Sequence, residues 1–153
     1  MVLKLKSPLR VQLEITDRCN HKCVHCYKPD QGYEKTPELP ARELVKKISD
    51  AEVFRLIITG GEPFASKERL YSILEAAKKY PTLETSINSN GTLITKEDSA
   101  LLKSYGIKGV LISLPSSDPG TLMSITRKDS LRQICDSIDL LLEEEYLSLQ
   151  IQL

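Results

Sequence analysis

Three cysteines crowd one short segment, Cys19-Asn20-His21-Lys22-Cys23-Val24-His25-Cys26. Thiols in a chain that shows no export signal point to metal or redox chemistry more than to disulfides, and this spacing cannot build two adjacent bridges. Thiolates at C-x₃-C-x₂-C spacing on a loop can wrap three corners of an iron–sulfur cube. A 4Fe–4S cluster normally takes four cysteines. One iron would therefore stay open to another ligand. The fourth cysteine, Cys135, stands far away beside Ile134 and Ile138 and reads as a buried apolar thiol. The rival to the cluster is a zinc site of Cys₃His type that takes His21 or His25 as its fourth ligand, although zinc sites more often pair C-x₂₋₄-C with H-x₃₋₅-H units. His21 otherwise reads as a surface loop residue.

A second motif is Thr59-Gly60-Gly61-Glu62-Pro63. Two glycines let a ligand approach the backbone, Glu62 offers a carboxylate to an ammonium group, and Pro63 biases Glu62 towards an extended conformation. Zinc leaves this motif unexplained.

The elements that must position both motifs are written in the apolar pattern. Strands are expected at Arg10–Thr16, Phe54–Thr59, Leu83–Asn88, Gly109–Leu114 and Leu147–Leu153. Helical windows lie between them at Ala41–Asp50, Lys67–Lys79, Thr95 to near Gly106, and Ser130–Glu145. Thr95 and Asp98 have capping-box spacing. Strands alternating with helices imply parallel strands joined by right-handed crossovers, hence an α/β fold. In such folds, residues just past the carboxyl ends of strands face the ligand, and both motifs sit there on adjacent strands. A complete (β/α)₈ barrel takes about 250 residues, so a single domain over residues 1–153 is expected to be a partial TIM-like barrel, a fragment cut after about five strands.

The composition of the 153 residues, 41% hydrophobic and 27% charged, is that of a soluble globular domain. Lysine plus arginine and aspartate plus glutamate each total 21, so the net charge is zero and no basic nucleic-acid footprint is evident. No apolar run is long enough for a membrane span, and Met1 to Arg10 lacks the apolar core of a secretory signal. A cytoplasmic protein is the expectation.

The cysteine triplet and Gly60-Gly61-Glu62-Pro63 resemble the radical S-adenosylmethionine (radical SAM) enzyme superfamily. Asn88-Ser89-Asn90-Gly91-Thr92-Leu93 resembles its Asn-Thr-Asn-Gly-Thr segment, and Ser113-Leu114 resembles its Ser-Leu-Asp segment. The likeness runs from about Val11 to Leu153, and its flavour is that of enzymes that modify peptides, often carrying a SPASM or twitch extension. It implies that Cys19, Cys23 and Cys26 ligate a 4Fe–4S cluster whose fourth iron chelates S-adenosylmethionine. Reductive cleavage of the sulfonium would give a 5′-deoxyadenosyl radical that abstracts a substrate hydrogen. It further implies that Gly60, Gly61 and Glu62 hold the methionine ammonium and that His25 stacks on adenine. Ser113 would reach the ribose or carboxylate, Arg127 would pair with the methionine carboxylate, and Asn88 and Asn90 would line the pocket. A one-electron donor such as flavodoxin or ferredoxin would serve it. The expected substrate is a peptide or protein, with a small-molecule cofactor precursor as the alternative. A non-catalytic SAM-binding module is a third possibility.

Where the superfamily commonly reads Ser-Leu-Asp-Gly, this chain reads Ser113-Leu114-Pro115-Ser116-Ser117-Asp118, a loop about two residues longer. Arg127-Lys128 also reads as an exposed basic pair, Ser113 as a plain strand end, and Glu143-Glu144-Glu145 as a solvated helix end. Tyr27 and Tyr33 are candidates to pack the cysteine loop or to touch substrate.

Overall fold

Period-two alternation decides which side of each strand is buried. In the computed structural model, which describes residues 6–28, 39–145 and 148–152, five parallel strands pair in sequence order, β1-β2-β3-β4-β5. They are β1 (Arg10–Glu14), β2 (Arg55–Thr59), β3 (Glu84–Ser89), β4 (Gly109–Ser113) and β5 (Leu149–Gln152). The register aligns Leu13, Ile58, Ile87, Val110 and Leu149 across the whole sheet. Ile58, Ile87, Val110 and Ile112 are buried on this face against the helices. The intervening residues Gln12, Ile57, Ser86, Asn88, Leu111 and Gln150 face the other way and line an open cavity of about 420 Å³. Sequential parallel strands joined by right-handed crossovers carry all their helices on one side, and the polar face is left as the concave side of a partial (β/α) barrel.

The helices are α1 (Ala41–Asp50), α2 (Lys67–Ala77), α3 (Lys96–Ser104), α4 (Pro119–Thr126) and α5 (Leu131–Glu143), with a 3-10 turn at Pro63–Ser66. Their inward stripes follow helical spacing: Ala41, Val45 and Ile48 on α1, Leu70, Ile73, Leu74 and Ala77 on α2, and Ile134, Ser137 and Leu141 on α5. The strands and helices expected from the pattern are present, with ends moved by one or two residues. In the last strand, Leu147 and Leu153 lie outside the described residues. Helix α4 adds to the four helical windows expected from the pattern. Asp118 caps it by accepting from the Thr121 N–H at 2.8 Å and Pro119 opens its first turn, so a start signal was present. Its moderate length and mixed exposure hid it.

Cys135 is corrected: it is exposed. Ile134 turns inward with Ser137 and Leu141, and the next residue on a helix points about 100° away. Among the described residues, no helix is long and apolar enough to cross a membrane.

The expected capping box closes α3. The Asp98 N–H donates to Thr95 Oγ1 at 3.3 Å and the Thr95 N–H donates to Asp98 Oδ2 at 2.8 Å. Asp98 is buried, pairs with Lys67 Nζ at 2.6 Å and accepts from the Tyr71 hydroxyl, which ties α2 to α3. Burial alone raises its pKa, but Lys67, Tyr71 and the Thr95 N–H together outweigh it, so the carboxyl sits below its ordinary value of 3.8. A depressed pKa stabilises the fold above the unfolded-state value and loses that contribution as pH falls through the folded value. Stability is therefore expected to decline below about pH 4 with a slope that Asp98→Asn flattens. Urea unfolding of both proteins from pH 3 to 6 checks this.

Candidate functional site at the carboxyl ends of the strands

The loop after β1 carries the three thiols and is tied to four neighbours. Main-chain pairing first extends the β1–β2 ladder: Ile15 N–H to Thr59 O at 2.9 Å, Gly61 N–H to Thr16 O at 2.8 Å and Glu62 N–H to Arg18 O at 2.7 Å. Asn20 reaches the turn after β3 through Thr92 Oγ1 at 2.7 Å. Lys22 and Val24 then donate to the Thr126 and Ile125 carbonyls at the end of α4, at 3.1 and 2.9 Å. Last, Lys28 bridges Glu14 and Asp17 at 3.0 Å each and fastens the exit of the loop to its entrance.

Close approach explains the glycine pair. A Cβ on Gly60 would lie 2.6 Å from the Thr16 carbonyl oxygen, and one on Gly61 would lie 2.4 Å from that of Arg18. The sequence reading kept this space for a ligand, but the cysteine loop's own backbone occupies it. Glycine is needed so that the two motifs can lie side by side.

Glu62 is fully buried. Its Oε1 accepts from the Phe64 N–H at 3.1 Å and the Ser89 hydroxyl at 2.8 Å, and its Oε2 accepts from the Asn90 N–H at 2.7 Å. Burial pushes its pKa up, while these donors pull it back in part. The side chain expected to meet an ammonium group is thus spent on joining β2, the 3-10 turn and the end of β3.

The remaining expected site residues fall around this junction. His25 is exposed within the cysteine loop, and Ser113 is exposed at the end of β4. Asn88 faces the concave cavity. Asn90 contacts the cysteine loop, with Nδ2 at 2.8 Å from Asn20 Oδ1 and 4.0 Å from Cys19 Sγ. Arg127 is exposed, directly after the residues that hold Lys22 and Val24. It ends α4 in the left-handed region at φ 60°, which is uncommon for a residue with a side chain. Ser89, Asn20, Thr92 and Lys28 act here and had not been singled out, because single polar residues without periodicity carry no signal in sequence.

His21 corrects its reading as a surface residue. It is 8% exposed, and its Nε2 has no hydrogen-bond partner. Desolvation, with the charge of Lys128 adding to it, lowers its pKa. Tyr27 donates to Glu14 with its ring exposed, so it does not pack the loop. Tyr33 lies outside the described residues. Glu144, read as solvated, pairs with Lys103 at 3.2 Å.

The donor set distinguishes a cluster from a single ion. Among the described residues, no three His, Cys, Asp or Glu side chains converge on a single point. The thiols are nonetheless close. Burial raises the Cys23 pKa and the charges of Cys19 and Cys26 raise it further. Sulfurs that are near one another but not focused on a single point suit a cluster, where each thiolate binds a different iron.

Comparison with known proteins agrees. The chain matches the Radical SAM superfamily over residues 13–148. GTP 3′,8-cyclase of Petrotoga mobilis is 33% identical over 139 residues, covering 87% of this chain and 42% of that protein. GTP 3′,8-cyclase of Limosilactobacillus fermentum is 34% identical over 135 residues, covering 84% of this chain and 40% of that protein. This chain thus spans about two fifths of the length of these curated relatives. Among solved structures, Streptococcus suis SuiB bound to S-adenosylmethionine superposes with a TM-score of 0.76 at 21% identity, over 95% of this chain and 32% of that one. Native anSMEcpe with bound AdoMet gives 0.76 at 19%, over 94% and 43%. A match over nearly the whole length, on a sheet that brings a thiol loop and a Gly-Gly-Glu-Pro turn to adjacent strand ends, makes this chain a member of the radical SAM superfamily, which uses a 4Fe–4S cluster and S-adenosylmethionine.

Proposed function

We propose that the protein is a radical SAM enzyme in which Cys19, Cys23 and Cys26 hold the cluster, and that its substrate is a small polar molecule of the nucleotide class. The observation that supports the first part is the main-chain ladder that binds the cysteine loop to Gly61 and Glu62, since it ties the segment proposed to hold the cluster to the one proposed to hold the methionine ammonium. When bound, the two cofactors supply reductive cleavage of the sulfonium and a radical that takes a substrate hydrogen.

The chain's own residues do the holding. With the Glu62 carboxylate committed internally, the Gly60-Gly61-Glu62 segment is left its main chain with which to hold the methionine ammonium. Arg127, set beside the loop by an unusual backbone conformation, supplies a guanidinium for the carboxylate. His25 and Ser113 are exposed at the same end of the sheet to contact adenine and ribose, and Asn88, near the end of β3, lies on the concave face.

The substrate class rests on the curated relatives, which are named for a reaction of GTP. It favours the cofactor-precursor alternative over the expected peptide. A peptide is the second reading: solved neighbours include SuiB bound to its precursor peptide SuiA and anSMEcpe with a peptide, each 20% identical, a likeness that carries the fold alone.

The test uses the full-length protein, reconstituted anaerobically with iron and sulfide. It is expected to bind about four irons per cluster and to form 5′-deoxyadenosine with dithionite, which stands in for a flavodoxin or ferredoxin. Alanine at Cys19, Cys23 or Cys26 should abolish both. Stoichiometric zinc without iron, or a full cluster with no cleavage, would sink the enzyme reading. GTP consumed in step with deoxyadenosine supports the nucleotide class, and turnover of a peptide in its place overturns it.

A further inference from the structure

Three side chains close a ring of hydrogen bonds beside Cys19. Asn20 Nδ2 donates to Thr92 Oγ1 at 2.7 Å, the Thr92 hydroxyl donates to Asn90 Oδ1 at 2.7 Å, and Asn90 Nδ2 donates back to Asn20 Oδ1 at 2.8 Å. The ring fixes which end of the Asn90 amide is which. Its oxygen already accepts from both the hydroxyl and the N–H of Thr92, the latter at 3.0 Å, so the NH₂ must face the cysteine loop. An NH₂ has two hydrogens and the ring uses one. The other is directed to Cys19 Sγ, 4.0 Å away, where the His21 N–H also points at 3.4 Å.

The backbone of Asn90 is held as firmly as its side chain. Its N–H is bound by the buried Glu62 at 2.7 Å, in a carboxylate that also anchors Ser89. Asn90 thus connects a fully buried carboxyl group to the first thiol of the loop. Neither the superfamily match nor the pocket role expected from sequence gives it this position.

We infer that Asn90 is a positioning residue for the cluster: its spare N–H orients Cys19 and raises the cluster's reduction potential. This rests on the reading of Cys19 as a cluster ligand. N–H donors to cluster sulfurs stabilise the more negative, reduced state, and outer partners of this kind set potentials as much as the ligands do.

The experiment is an anaerobic redox titration of the full-length reconstituted protein, followed by electron paramagnetic resonance of the reduced cluster without S-adenosylmethionine. Asn90→Asp keeps the acceptor for the Thr92 N–H and hydroxyl but cannot donate to Asn20, so the ring opens, and the sulfur loses its donor and gains a nearby charge. The midpoint is expected to move to a more negative potential with iron content unchanged. Thr92→Val breaks the ring but keeps the amide, and its midpoint should stay near that of the wild type. If Asn90→Asp fails to retain iron, Asn90→Ser removes the donor without adding charge and should shift the midpoint in the same direction. An unshifted midpoint in the Asn90 variants, or an equal shift in Thr92→Val, overturns the inference. A wild-type protein that assembles no cluster overturns it too, and by a different result, since the reading of Cys19 then fails first.

Discussion

Glu62→Ala is expected to cost roughly 3–5 kcal/mol of folding stability, since each buried donor left without a partner costs ~1–3 kcal/mol. Three donors would be stranded at once: the Phe64 and Asn90 N–H groups and the Ser89 hydroxyl. Relief of the carboxylate's own burial offsets part of the loss, which keeps the figure below the simple sum. Against the ~5–15 kcal/mol that holds a typical domain folded, this is a large fraction. Glu62→Gln should fall between, at about 1–3 kcal/mol, because its oxygen can serve Phe64 and Ser89 while its NH₂ confronts the Asn90 N–H. Urea unfolding of the three proteins gives the order, and a variant as stable as wild type would show that the carboxylate holds nothing together. The pH dependence has its own sign. Burial raises the Glu62 pKa above its ordinary 4.5, so protonation favours the folded state. Its contribution is full below about pH 4.5 and is lost as pH rises through the folded value. The margin of wild type over Glu62→Gln should therefore shrink from pH 4 to 7, opposite to the trend at Asp98.

Gly61→Ala is the second large effect, and it acts on the site more than on the core. The new methyl carbon would meet the Arg18 carbonyl oxygen at 2.4 Å, the Arg18 carbonyl carbon at 2.7 Å and the Asp17 oxygen at 2.8 Å, all of them backbone. No rotamer change relieves contacts with main chain. The segment before Cys19 must move away, and with it go the hydrogen bonds from Gly61 to Thr16 and from Glu62 to Arg18. Overpacking together with two lost hydrogen bonds is expected to cost about 2–4 kcal/mol. The distinguishing result is iron: at temperatures where Gly61→Ala is still folded, its cluster content should fall well below that of wild type. Full cluster loading in a folded Gly61→Ala protein would show that the loop tolerates displacement.

The fold was legible because its signals are periodic. Leu56 and Ile58 on β2, or Leu70, Ile73 and Leu74 on α2, announce a buried face through spacing alone, and the Thr95–Asp98 box marks a helix start by chemistry that needs no partner elsewhere in the chain. The position of the two motifs at adjacent strand ends followed from the alternation of elements. What stayed hidden depends on contacts between residues far apart in sequence. Nothing in Ser89 or Asn20 shows that one will meet Glu62 and the other Thr92. The glycine pair was noticed, but its reason was misplaced, since a sequence shows that side chains are missing without showing what fills the space. His21 and Cys135 exchanged their expected environments for the same cause. A polar residue in a loop and an apolar one beside isoleucines follow average tendencies, and here the loop folds over against α4 while Cys135 falls on the outer side of α5.

The neighbour-by-neighbour order of the strands bears on how the thiols come to be loaded. Each strand pairs with the next one along the chain, so each pairing closes a shorter loop than the tie from Asn20 to Thr92 does. The ties from Asn20 to Thr92 and from Lys22 to Thr126 join segments separated by several strands, and their larger closure entropy places them late. The expected order of assembly is therefore sheet first and thiol loop second, with Cys23, the one of the three thiols that is part-buried once the loop has docked, accessible until then. Pulsed alkylation during refolding should find Cys23 still reactive after the β2 and β3 amides have become protected from exchange.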